Sequence, residues 1–131
     1  MKQSLGHITF LVNNYDEAIE YFTQKLKFNL VEDTKRSESK RWVLVAPNGS
    51  IESCLLLAKA STEAQQKMVG NQTGGRVAFF LYTDDFESDY EYMKSRGVEF
   101  IEEPRIELYG KVVVFKDLYG NKWDFLQFPK T

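Results

Sequence analysis

The sequence predicts an α+β fold built from two tandem βαβββ modules. Two observations support this prediction. A segment in which apolar and polar residues alternate, as in a strand, is followed by apolar residues at helical spacing, and this pattern occurs twice in the chain. A shift of 69 positions places Phe10 on Phe79, and later in the modules a shift of 71 places Gly49 on Gly120. Each module alone would expose an apolar sheet face. We therefore expect the two to form a curved, mainly antiparallel sheet around a cavity, with the helices outside.

The first module is predicted at residues 4–58. Residues 5–12 alternate as a strand, and Asn14 with Glu17 three positions later has the spacing of a helix capping box. Apolar residues then recur at helical spacing as far as Leu26. Three further strands are predicted, at 28–35, 41–46 and 51–58.

A polar segment at 59–75 is predicted as a linker with one helical turn at 64–68. The second module then occupies residues 76–129. Its predicted elements are a strand at 76–82, a helix at 83–96 capped near Asp84, a short strand at 99–102, a loop at 104–110, and a closing strand pair at 112–128.

Composition indicates one domain over residues 1–131 and excludes several classes of partner. With 17 Lys and Arg against 19 Asp and Glu, the net charge of -2 creates no field that would attract nucleic acid or an anionic membrane. The only cysteine, Cys54, rules out an intramolecular disulfide, and no signal-peptide pattern or membrane-length apolar run occurs. We therefore expect a cytoplasmic protein.

A few polar residues lie in otherwise apolar predicted strands. Strand alternation places Asp124 on one face with Leu126, and places His7, the only histidine, on one face with Thr9. The same parity places Arg76 on a face with Ala78 and Phe80. The aromatic residues Trp42, Phe80, Trp123 and Phe125 are interpreted as core or cavity wall.

Three stretches carry a family resemblance: GHITFLVNNYDEAIEYFTQKLKF, GRVAFFLYTDDFESDYEYMKSRGVEF and VVVFKDLYGNKWDFLQ. Together they resemble the vicinal oxygen chelate superfamily, which includes glyoxalase I, bleomycin-resistance proteins and extradiol dioxygenases. In metal-dependent members, the first and last strands of each module supply the ligands. The resemblance implies His7 and Asp124 as two of them, with Glu52, Ser53 or Cys54 as a third. Arg76 stands where the family offers a histidine.

Two functions follow from this resemblance. The first is a bleomycin-resistance-like protein that binds a small molecule in the cavity without a metal, through Arg76, Asp124, His7, Thr9, Phe80 and Trp42. In this hypothesis Arg76 pairs with an anionic group of the ligand and takes Asp124 as its counter-charge. The alternative is a metal-dependent glyoxalase-like lyase or isomerase, or a dioxygenase, with Zn, Ni, Mn or Fe on His7, Glu52 and Asp124. The resemblance also implies a homodimer.

Overall fold

The computed structural model describes residues 1–50 and 52–129. The chain divides into two compact units, Met1–Val69 and a second that begins at Gly70. The first unit contains strands β1 (His7–Val12), β2 (Asn29–Lys35), β3 (Arg41–Ala46) and β4 (Cys54–Lys59), with helices α1 (Tyr15–Glu20) and α2 (Glu63–Met68). The second contains strands β5 (Val77–Tyr82), β6 (Glu99–Phe100), β7 (Arg105–Glu107), β8 (Gly110–Lys116) and β9 (Lys122–Gln127), with helix α3 (Phe86–Ser95).

The first unit is a four-stranded sheet in the order β1-β4-β3-β2. Its first and last strands, β1 and β4, pair in parallel, and the other pairs are antiparallel. The predicted cap forms, because the backbone N–H of Glu17 donates to Asn14 Oδ1 at 3.0 Å. Helix α1 continues as a π-helical turn, Tyr21–Lys25, which brings Phe22 against Phe10 with ring centroids 5.1 Å apart. One face of the sheet is therefore covered by α1 and its continuation.

Most predicted elements of the first unit are confirmed within a few residues. The predicted strand 41–46 matches β3, and the helical turn expected at 64–68 lies within α2. The predicted strand 51–58 begins later than expected, at Cys54, because Glu52 and Ser53 form a bend. Its first predicted residue, Ile51, lies outside the described residues.

The second unit repeats the same order of strands. Its sheet runs β5-β9-β8-β6, with β7 also paired to β8, and the first and last strands of the unit, β5 and β9, again pair in parallel. Helix α3 is capped one residue later than expected and begins at Phe86, because Asp85 rather than Asp84 accepts the N–H of Ser88, at 3.3 Å. The two predicted βαβββ modules are thus present. Among the described residues, no helix has the length and apolar character needed to cross a membrane.

Helix α3 covers one face of the second sheet through stacked aromatic rings. Phe86 of the helix lies against Phe125 of β9, with centroids 5.2 Å apart, and Trp123 stacks on Phe115 of β8 at 5.6 Å. Trp123 and Phe125 are both buried. Since side chains alternate along a strand, Asp124 lies on the other face, as predicted. In each module we call this second face the helix-free face.

Two features of the second unit differ from the sequence prediction. The segment 104–110, expected to be a loop, contains strand β7. Strand β5 also carries an extra residue, because Val77 pairs with Lys122 whereas Phe79 pairs with the next residue of β9. This bulge at Ala78 reverses the alternation, so residues on either side of it no longer share the predicted faces. Arg76 precedes β5 in an exposed bend, and strand parity no longer places it on the face of Phe80.

Candidate functional site

The helix-free face of the second module is defined by the register of its strands. Phe80 of β5 lies beside Asp124 of β9, which lies beside Val114 of β8. The next row across the same strands contains Tyr82, Leu126, Val112 and Arg105. A single carboxylate therefore lies among apolar and aromatic neighbours, one row from an arginine.

Aromatic side chains on this face are unusually accessible. Phe80 is 59% exposed, Tyr82 60% and Phe128, just beyond β9, 53%. The rings of Tyr82 and Phe128 lie 4.9 Å apart between centroids. Isolated exposed apolar residues are ordinary, but neighbouring aromatic rings on one sheet face are typical of a surface that binds a ligand or a partner. These three residues form the aromatic strip of this face.

Beside the aromatic strip lies a group of four charged residues, Glu102, Arg105, Glu107 and Asp124, which we call the Arg105 cluster. Arg105 Nε donates to both carboxylate oxygens of Glu102, at 3.1 and 3.0 Å, and Arg105 Nη1 donates to Glu107 Oε1 at 2.7 Å. Tyr109 also hydrogen-bonds the guanidinium, and the pKa of Arg105 is raised, chiefly by the bond from Glu107. Glu102 is itself fixed, because it accepts the backbone N–H of Val114 at 3.0 Å.

Asp124 differs from the other carboxylates of the Arg105 cluster. Within residues 1–50 and 52–129, no group hydrogen-bonds or ion-pairs with its side chain. Partial burial raises the pKa of Asp124; the positive charge of Arg105 lowers it and the negative charge of Glu102 raises it further. Arg105 thus acts as the counter-charge of Asp124, a role that the sequence analysis had given to Arg76. Asp124 is the acceptor on this face that its own module leaves unused.

The first module brings together three of the predicted ligand-binding residues on its own helix-free face. His7 and Thr9 lie in register with Cys54 and Leu56 of β4. The His7 imidazole meets Trp42 edge-on, with ring centroids 5.7 Å apart. His7 and Thr9 are exposed and Trp42 is partly exposed.

Trp42 has a second neighbour, Arg36, that sequence reasoning did not single out. The guanidinium of Arg36 lies over the indole ring, 5.7 Å from its centroid. The indole is therefore held between an imidazole edge and a guanidinium, which fixes its orientation while leaving part of its surface accessible.

A polar cleft of about 420 Å³ lies elsewhere in the first module. Arg41, one of its lining residues, is already paired with two carboxylates, because its guanidinium donates to both oxygens of Asp33, at 3.1 and 2.7 Å, and to Asp16 at 2.9 Å. The same guanidinium lies 5.2 Å from the ring centroid of Tyr15. These bonds tie β3 to β2 and to α1, so this arginine has a structural explanation.

Arg105 and Glu107 were missed because 104–110 was interpreted as a loop, whereas Glu102, at the end of the predicted strand 99–102, was not singled out. Within Arg105-Ile106-Glu107 the charged residues are two positions apart, and in a strand that spacing places both on one face. This alternation was the available signal. Pro104 and the shortness of the segment obscured it.

The model of the Glyoxalase/Bleomycin resistance protein/Dioxygenase superfamily matches residues 4–125. The chain belongs to this superfamily. An uncharacterized protein of Shewanella frigidimarina (strain NCIMB 400) is 55% identical over 128 residues, covering 97% of this chain and 95% of that protein. Among solved structures, UcmS2 superposes with a TM-score of 0.83 at 27% identity, covering 96% of this chain and 98% of the other.

A second structural neighbour is TnmS3, an antibiotic binding protein from Streptomyces sp. CB03234. It superposes with a TM-score of 0.76 at 22% identity, covering 98% of each chain. At that identity the likeness shows a common fold.

The superfamily implies a metal site, and the donor groups of each module decide whether a metal ion fits there. Glu52 is exposed in the bend before β4, whereas the residue of that segment in register with His7 is Cys54. Within each module, the described residues form no group of three or more His, Cys, Asp or Glu that could hold a metal ion. The donors of neither module alone fit a metal ion.

Proposed function

We propose that this superfamily member binds a small planar or amphipathic organic molecule, as a sequestering protein does, and that the aromatic strip is part of its binding surface. The observation that carries the proposal is the exposure of Phe80, Tyr82 and Phe128 beside Asp124 on one sheet face. Stacking on such rings supplies affinity, and a single carboxylate at the centre supplies orientation.

Two further points support a binding role. The chain shares its fold with TnmS3, an antibiotic binding protein. The first module also presents an accessible indole, Trp42, held between His7 and Arg36. His7, Thr9 and Trp42 are proposed as ligand contacts of the first module, and Phe80 and Asp124 as contacts of the second. Arg76 is also proposed as a ligand contact because it is an exposed cation. Strand parity no longer supports this role.

Isothermal titration against a panel of amphipathic aromatic antibiotics tests this proposal. We expect at least one compound to bind, and Phe80→Ala to weaken it roughly tenfold, the loss expected when one aromatic stacking contact is removed. Tyr92→Ala is the matched control, because Tyr92 is an aromatic residue of the same module on helix α3. Equal losses in the two variants, or no binding by any compound, would refute the proposal.

The alternative function is a metal-dependent lyase, isomerase or dioxygenase, with His7, Glu52 and Asp124 as ligands. His7 and Asp124 occupy the family's ligand strands, β1 and β9, and this placement favours the alternative. Metal analysis of protein purified without chelator distinguishes the two functions: stoichiometric metal, lost in His7→Ala, would replace the binding proposal with the enzymatic one.

The homodimer and the cytoplasmic location expected from the sequence also form part of the proposal. Light scattering on the purified protein measures the mass in solution, and a mass equal to one chain would remove the dimer.

A further inference from the structure

The charge of the ligand can be argued from the Arg105 cluster, an inference that rests on the proposed binding function. Three carboxylates surround one guanidinium, and two of them already pair with it. Glu102 accepts from Nε, Glu107 accepts from Nη1, and Tyr109 provides a further hydrogen bond. An anionic ligand that approached Arg105 would meet the negative charge of these carboxylates.

The side chain of Asp124, in contrast to that of Arg105, has no hydrogen-bond partner among the described residues. Its carboxylate lies between Phe80 and Val114 in the sheet, and the described residues provide it with no hydrogen bond or ion pair. A partly buried carboxylate without a donor is an incomplete arrangement, and a ligand that supplies an N–H donor completes it. The neighbouring ring of Phe80 is 59% exposed, and its π face favours a cation in the same place.

We infer that the ligand of this face carries a positively charged nitrogen, and that Asp124 is the residue that selects it. Arg105 is a positioning residue, because it holds Glu102 and Glu107 in place beside Asp124. This charge preference is opposite to the one that Arg76 suggested from the sequence.

Three acridine probes of similar shape and different charge test the inference by isothermal titration at neutral pH. They are the cation proflavine, uncharged acridine and an acridine carboxylate. We expect proflavine to bind roughly tenfold or more tightly than acridine, the effect of one hydrogen bond to a charged group, and the carboxylate to bind most weakly. Asp124→Asn should bring proflavine to the affinity of acridine while leaving acridine unchanged.

Glu103→Gln provides the matched control. Glu103 is exposed in the same module, and the described residues give it no hydrogen bond or ion pair, so its loss changes the net charge equally without touching the face. The inference predicts that this variant keeps the preference for proflavine. A preference reduced equally in both variants would overturn it, because the effect would then be long-range attraction.

The outcomes also separate this inference from the proposed function. Equal binding of all three probes by the wild-type protein, weakened by Phe80→Ala, overturns charge selection and leaves the binding function intact. Binding of none of the probes and of none of the antibiotic panel overturns both.

Discussion

Replacing Asp117 by alanine tests how the turn between β8 and β9 is held. Asp117 is only 6% exposed, and its carboxylate accepts from the backbone N–H groups of Tyr119, Gly120 and Asn121, at 2.9 to 3.1 Å. It also accepts from the Asn121 side chain at 3.1 Å and from Trp123 Nε1 at 2.8 Å. The single carboxylate therefore organises the whole turn that leads into the strand of Asp124.

The loss of unfolding free energy can be estimated from the donors that Asp117→Ala leaves without an acceptor. Trp123 and Asn121 are 3% and 4% exposed, so water cannot readily replace the carboxylate at either side chain. A buried donor left unsatisfied costs about 1–3 kcal/mol, which gives a loss of roughly 2–6 kcal/mol for the two. Burial raises the pKa of Asp117 and so favours its neutral form, while the hydrogen bonds, from Trp123 first, act in the opposite direction. We therefore attribute the loss of unfolding free energy in Asp117→Ala to the Trp123 and Asn121 donors that are left without an acceptor.

Urea unfolding followed by tryptophan fluorescence and far-ultraviolet circular dichroism measures this loss. For a chain of 131 residues, it corresponds to a Tm lower by roughly 6–24 °C. Asp117→Asn keeps one acceptor oxygen and should lose about half as much. Asp84→Ala is the control, because Asp84 is exposed and should change the unfolding free energy by less than about 0.5 kcal/mol.

A free energy of unfolding for Asp117→Ala within about 1 kcal/mol of wild type would refute the reasoning. So would a loss matched by Asp84→Ala. Either result would mean that the turn is set by its backbone alone, with Gly120 at a φ of 100° supplying the reversal.

Three further predictions concern other positions. Gly110→Ala should lower the free energy of unfolding by about 3 kcal/mol or more, because φ is 139° and an added Cβ would overlap the Gln127 carbonyl oxygen. Gly74→Ala is the control: its φ is 68° and the space around it is open, so it should lose only about 1 kcal/mol. Equal urea midpoints for the two variants would contradict this prediction. At neutral pH, Asp124→Asn should have the same Tm as wild type or a higher one, because the raised pKa of Asp124 means that the fold disfavours its ionised form. The difference in Tm should vanish as the pH falls through that pKa, where the carboxyl group becomes neutral. A Tm below that of wild type at neutral pH would contradict this prediction. Chelator treatment should leave both Tm and probe binding unchanged, as measured by differential scanning fluorimetry and titration, and a loss of either that added metal restores would support the metal-dependent alternative.

The sequence predicted the repeat, the module elements and the faces of β9, because periodicity and turn residues are local signals. Asp124 lies opposite to Trp123 and Phe125, as alternation requires. What the sequence could not provide is a change of register. The extra residue at Ala78 is determined by the pairing of β5 with β9, which are far apart in the chain, and it removed the parity argument for Arg76.

The charge partner of Asp124 was unpredictable for a related reason. Arg105 reaches this face only because β7 pairs with β8. Charges have no periodicity that would reveal a partner on another strand, so the sequence could indicate which residues were candidates but not which of them interact.

The parallel pairing of first and last strands has a consequence for synthesis of the chain. Within the described residues of the first module, β1 pairs only with β4, so it gains this partner when β4, ending at Lys59, has left the ribosome; in the second module, β5 waits for β9, ending at Gln127. Neither sheet can close progressively from its N-terminal end, so each module folds late, and during translation its opening strand is an unpaired apolar edge. The second module then completes its sheet only after residue 127 has emerged.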